Sequence, residues 1–233
     1  AMHSPWELAA YTVLGLLAAL GAQAFMRVLR ISERLFRRPS LPLPWRPALG
    51  GLLAGALVAV IPEVAGNGYE PLNALLDGRF AASAVALLLL AKVLATSASV
   101  SSGSPGGVFT PTMLLGGGIG FLFGVALQHA FGPQVGPPGG YALVGMAATT
   151  AATTHAPLMA AVMAFELSGD YSVVLPLVTA TAVATWLSHR LRRESIYTAE
   201  LAERGLAWEQ TLDGRRELGQ GSEPVAASRP PGT

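Results

Sequence analysis

The sequence predicts an all-α, polytopic membrane protein whose helices are interrupted and of unequal length. Three observations carry this. Apolar residues make up 52% of the 233 and charged residues only 12%, with a mean hydropathy of +0.48, a balance that belongs in lipid rather than in water. Apolar runs long enough to cross a bilayer, at roughly 20 residues per crossing, alternate with runs too short to do so. Between two of the long runs lies a loop crowded with glycine, proline and serine, Ser101 to Pro111. Such irregular backbone is tolerated at membrane depth only where protein buries it or it lines a cavity.

Composition also excludes much. The chain has no cysteine, which removes disulfides, thiol chemistry and Cys-based metal centres. His3, His129, His155 and His189 show no metal-ligand spacing, so no metal and no organic cofactor are expected. A net charge of +1 without a basic patch interleaved with aromatics speaks against nucleic acid. The chain opens Ala1-Met2, as a fragment would, and no basic segment precedes the first apolar run as in a cleaved signal peptide.

Each element has its own warrant. Trp6 and Tyr11 sit where interfacial aromatics are expected, and Leu8 to Met26 is long enough to span. The helix then turns amphipathic, with Arg27, Arg30, Arg34, Arg37 and Arg38 opposite Val28, Leu29, Ile31, Leu35 and Phe36, and Pro39 ends it. By the positive-inside rule the loop from Arg27 to Arg46 is cytoplasmic, and the arginines form a solvated face. Pro47 opens a second helix over Ala48 to Ile61, rich in the small residues that let helices pack closely. Gly66 to Pro71 is a turn cluster, followed by a short segment from Leu72 to Leu76. Phe80 to Leu94 is a third apolar stretch with a single charge, Lys92. A lone intramembrane lysine marks a site or pairs with backbone carbonyls, and the second, structural role is favoured here. Thr112 to Phe131 is a glycine-punctuated helix. Ala142 to Thr150 and Pro157 to Leu167 are too short to cross alone. Ser172 to Leu187 spans and ends in a second basic cluster, Arg190, Arg192 and Arg193, again cytoplasmic. Ile196 to Arg204 reads as a terminal amphipathic helix. Residues 206–233 read as a cytoplasmic tail without periodicity, disordered toward its end.

The loop at Ser101 to Pro111 carries the chemistry. Glycine admits close approach of backbone to a ligand, and Pro111 suits a first helical turn, where its missing N–H has no partner to lose. The free N–H groups of a helix start carry partial positive charge and form an anion site; broken helices in transporters hold anionic groups near the midplane in this way. The chain reads either as a membrane transport protein with an anion at this loop, or as a tight loop–helix junction without a ligand. An enzyme built on Ser101, Ser104, Lys92 or His155 would need a nucleophile paired with a base, and no second polar cluster supplies one, so no enzyme is expected.

The order of several motifs resembles one family. Ser102-Gly103-Ser104-Pro105-Gly106-Gly107-Val108-Phe109-Thr110-Pro111 looks like the G-x-F-x-P anion-site motif of the CLC chloride channels and chloride/proton antiporters. Gly145-Met146-Ala147-Ala148, Thr153-Thr154-His155-Ala156-Pro157-Leu158, Phe165 to Tyr171, and Glu194-Ser195-Ile196-Tyr197-Thr198 follow in that family's order. The resemblance covers about residues 6–205 and implies the C-terminal, inverted-repeat half of the CLC membrane domain, helices J to R in family terms. It implies chloride as ligand and transported ion. Val108 and Phe109 would supply backbone amides and Tyr197 a hydroxyl, with Gly106, Gly107 and Pro111 as motif support. The gating motifs of the first half, G-S-G-x-P and G-R-E-G-P, do not occur in this sequence, nor do CBS domains. A first half would therefore be a partner, and channel cannot be told from antiporter. The chain would be either a transport component or a truncated, non-transporting fragment. The resemblance further implies a homodimer through 157–167 and 172–187 in a bacterial inner membrane, with the C-terminus cytoplasmic. It makes Glu166 structural, hydrogen-bonded to nearby backbone amides. His155 would satisfy a turn, and Asp170-Tyr171 would close an interfacial one.

Overall fold

The computed structural model describes residues 6–37, 42–132, 135–199, 208–210 and 216–218. The chain divides into two compact units, Ala1–Arg193 and Glu194–Thr233. The first is all-helical among its described residues: α1 (Trp6–Phe36), α2 (Trp45–Val60), α3 (Tyr69–Leu76), α4 (Ala82–Ser101), α5 (Phe109–Phe131), α6 (Pro138–Thr154), α7 (Pro157–Ser168) and α8 (Val174–Leu191). Among the described residues, four stretches are long and apolar enough to cross a membrane: Glu7–Phe36, Ala82–Ser101, Phe109–Phe131 and Tyr171–Leu191. The helices α2 and α7 are apolar but shorter. Broken helices of unequal length are thus observed as expected.

At the centre lies α6, buried without interruption from Tyr141 to Thr153. Its sequence is apolar or small on every side, as a helix with neighbours all round must be. It is also longer than the nine-residue run read from the sequence. Pro137 leads into it, and the threonines that looked like a polar break extend it: Thr150, Thr153 and Thr154 hydroxyls donate to carbonyls one turn back, Met146 O, Thr149 O and Thr150 O, at 2.8 to 3.0 Å. Each hydroxyl is satisfied within the helix, so burial costs little.

Packing against α6 depends on missing side chains. The helices α5 and α6 run antiparallel with backbones in contact. A Cβ on Gly120 would meet Tyr141 O, and one on Gly145 would meet Gly116 O and lie 2.8 Å from Gly120 Cα. This is small-residue packing, the mode open to helices in lipid. On the other side α1 and α8 run in the same direction. Gly15 abuts Ala180 O, at 2.8 Å from its would-be Cβ, and Gln23 Nε2 donates to Ser188 Oγ at 2.9 Å.

Two joints match the sequence reading. His155 ends α6 in the left-handed conformation (φ 59°), its N–H donating to Ala151 O, and Pro157 opens α7 directly after it. Its ring stacks on that of His189, centroids 3.9 Å apart, and Nε2 lies 3.2 Å from Ser188 Oγ. Asp170 accepts from Ser172 N and Ser172 Oγ, both at 2.8 Å, closing the turn into α8. Those two donors hold its carboxyl below the usual range. Glu166 departs from expectation. It is exposed in the last turns of α7, where amides already serve the helix, and it accepts no hydrogen bond among the described residues.

In the second unit, where the sequence predicts an irregular tail, Trp208–Gln210 pairs antiparallel with Arg216–Leu218 in register Trp208↔Leu218. The rest of the tail, Pro39, and most of the expected Ile196–Arg204 helix lie outside the described residues.

Candidate anion site

The loop after α4 is shaped by its glycines and serines. Gly103 takes a positive φ of 89°, with open space where a Cβ would point, and turns the chain out of α4. The hydroxyls of the loop face back rather than forward. Ser101 Oγ donates to Leu29 O at 3.3 Å, and Ser102 Oγ donates to Ser99 O at 2.7 Å while lying 3.3 Å from Ser104 Oγ. None is placed as a nucleophile beside a base.

The chain then enters α5 at Phe109. Val108 is the N-cap residue (φ −103°, ψ −11°), and its carbonyl accepts from Thr112 N at 3.1 Å and Thr112 Oγ1 at 2.7 Å. No side chain caps this end. An α-helix leaves its first N–H groups without intrahelical acceptors, and a Ser, Thr, Asp or Asn at the N-cap usually takes one of them. Here the N-cap is valine, and Pro111 contributes no N–H. The amides of Val108, Phe109 and Thr110 donate to no protein acceptor among the described residues. A 23-residue helix with its dipole aimed outward from three unspent donors is suited to hold an anion.

Phe109 and Thr110 border a cavity of about 360 Å³, together with Gly106, Gly107 and Pro111. Facing them across it are Ala54 and Val58 of α2, the turn Val64–Asn67, and Lys92, Thr96 and Ser99 of α4. Gly107 has open space where its Cβ would be. Lys92 is only 4% exposed. Its ammonium donates to Val64 O at 2.8 Å and Gly66 O at 2.7 Å, pinning the turn after α2 against α4. The carbonyl pairing favoured from the sequence is therefore what the structure contains.

Of the residues singled out in the sequence, Gly106, Gly107, Val108, Phe109 and Pro111 come together at this helix start. Tyr197 lies in the second unit. It is exposed, and partial burial pushes its phenol above the ordinary value, so it remains an O–H donor at neutral pH. Sequence reasoning missed Thr110 as a third donor and missed the turn at Val64–Asn67 as a wall. The first was legible, since a proline at 111 leaves the amide of 110 as the last free donor. The second was not, because nothing local brings residue 65 to residue 107.

Comparison with known proteins bears on the family and the fold. The family model described as voltage gated chloride channel matches residues 1–189, a range that includes the α5 start and stops short of Tyr197. A putative chloride channel protein, ClcB-like, from Ralstonia nicotianae is 44% identical over 200 residues, covering 85% of this chain and 46% of that protein. A voltage-gated ClC-type chloride channel, ClcB, from Citrobacter koseri is 39% identical over 195 residues, 81% of this chain and 45% of that one. The chain thus spans just under half the length of these relatives. Among solved structures, a eukaryotic CLC transporter aligns with TM-score 0.73 at 27% identity, over 88% of this chain and 36% of that one. A CLC-type fluoride/proton antiporter aligns with TM-score 0.69 over 84% and 47%; at 23% identity that likeness shows the fold alone. By sequence model, by relatives and by fold, this integral membrane chain belongs to the voltage gated chloride channel (CLC) family.

Proposed function

We propose that the chain is the part of a CLC transport protein that holds chloride, or a similar small anion, at a broken-helix N-terminus. The carrying observation is the uncapped start of α5, where the Val108, Phe109 and Thr110 amides have no protein acceptor among the described residues and Phe109 and Thr110 border a cavity. Neutral N–H donors replace water around an anion without trapping it by full ionic attraction, and conduction needs binding loose enough to release. Tyr197 would add its hydroxyl to the same ion. The reading requires a first half of the subunit as partner and covers both channel and antiporter, since the deciding carboxylates are not in this sequence. No cofactor and no enzymatic step enter it. The bacterial relatives and the arginines beyond the ends of α1 and α8 favour the inner membrane, with the C-terminus cytoplasmic. Crystals of the assembled protein soaked in bromide should show an anomalous peak at hydrogen-bond distance from the Val108 and Phe109 amides and the Tyr197 hydroxyl. A peak confined to surface arginines would refute the assignment.

The same reading includes a homodimer. The helices α7 and α8 leave Leu158 76%, Val162 55%, Leu175 50% and Val178 47% exposed; Leu158, Val162 and Val178 border an apolar groove of about 320 Å³ with Phe165 and Tyr171. A second copy is the occupant proposed, across 157–167 and 172–187. The native chain has no cysteine, so single cysteines at Leu158 or Leu175 give a clean assay. Oxidation in membranes should yield disulfide-linked dimers at these positions and none at Leu52, exposed on α2. Monomers at every position would remove the dimer from the account.

A further inference from the structure

The cavity at the start of α5 holds a fixed charge that the amide site does not use. Lys92 lies in the membrane-spanning α4, is 4% exposed, and lines that cavity. Both of its acceptors, Val64 O and Gly66 O, are neutral, and no carboxylate pairs with it among the described residues. Glu63 and Glu70, close in sequence to the pinned turn, are exposed and line a neighbouring cavity with Tyr69 and Phe80 rather than this one. Carbonyls solvate an ammonium but leave its charge in place, and an ammonium has three donors of which two are spent here. A buried cation without a counter-ion is costly. Structural pinning of a turn needs hydrogen-bond donors and does not need a charge.

We propose that Lys92 is the built-in cation that draws a monovalent inorganic anion, a halide above all, into the cavity at the start of α5. This rests on the anion reading above and adds the residue that sets occupancy. Lys92 acts across the cavity rather than as a direct ligand: the amides coordinate, and the ammonium lowers the energy of any anion inside. Charge attraction through a wall of low dielectric falls only as the inverse of distance, so contact is not required. Placing the full charge on a side chain tied to two carbonyls keeps it from closing on the ion and blocking release.

The test is chloride binding by the chain co-assembled with the part of the Ralstonia nicotianae relative that it does not match, in detergent, read from ³⁵Cl line broadening titrated with sodium chloride. Lys92→Gln keeps hydrogen-bond donors without charge and should weaken binding about tenfold. Lys92→Arg keeps the charge and should stay within about threefold of wild type. A second pair leaves Lys92 and its carbonyl bonds in place. Ala54→Glu, in the same cavity lining as Lys92, gives the ammonium a counter-ion and should also weaken binding about tenfold, while Ala54→Gln should not. Equal loss in Lys92→Gln and Lys92→Arg, or no loss in Ala54→Glu relative to Ala54→Gln, would overturn the proposal and leave Lys92 as a staple. If wild type broadens and an ester at Phe109 abolishes broadening while Lys92→Gln does not, the amide site stands and the Lys92 proposal falls. Absence of displaceable broadening in wild type would take down both.

Discussion

An ester in place of the amide joining Val108 to Phe109 should weaken chloride binding by roughly tenfold to a hundredfold. The substitution deletes one N–H and leaves every side chain. Hydrogen bonds to a charged partner contribute roughly 1.5–3 kcal/mol, which is that range of affinity. Phe109 is the first residue of α5 and its amide has no protein acceptor among the described residues, so the loss falls on the ligand and not on the helix. The ester also weakens the Val108 carbonyl, which accepts from Thr112 N and Thr112 Oγ1. An ester at Thr112 is therefore the matched control: it disturbs the same turn but removes no donor facing the cavity. Chloride affinity should survive at 112 and drop at 109. Equal effects at both positions would mean that the helix start is structural only.

Much of this arrangement was legible in the sequence because its causes are local. Length and hydropathy give the crossings, proline and glycine give the breaks, and the absence of a capping side chain before Phe109 is visible in Gly106-Gly107-Val108. Where reading by pattern failed, the cause was tertiary. Thr150, Thr153 and Thr154 of α6 look like a polar interruption, yet their hydroxyls close on carbonyls one turn back and the helix runs on to Thr154. The resemblance implies that Glu166 bonds nearby backbone amides, but it sits at the wrong end of α7 to find a free one. The extent of α6 burial follows from Gly116, Gly120 and Gly145 bringing two backbones into contact, which periodicity cannot reveal when every face is apolar. Lys92 was visible as an anomaly, but its acceptors lie 28 and 26 residues away in the chain.

The central claim is that these residues supply one side of an anion pathway and not the whole of it. The uncapped start of α5 borders a cavity, and the chain spans just under half of each matched relative. A lone ion in such a half-walled site would meet lipid on its open side, and backbone polar groups left there cost several kcal/mol each. Chloride efflux from liposomes measures this directly. The 233-residue chain reconstituted by itself should release no chloride above empty vesicles. Co-assembled with the part of the Ralstonia nicotianae relative that it does not match, it should give anion-selective efflux. Robust efflux from the 233 residues without a partner, or none from vesicles shown by crosslinking to hold both parts, would contradict the account.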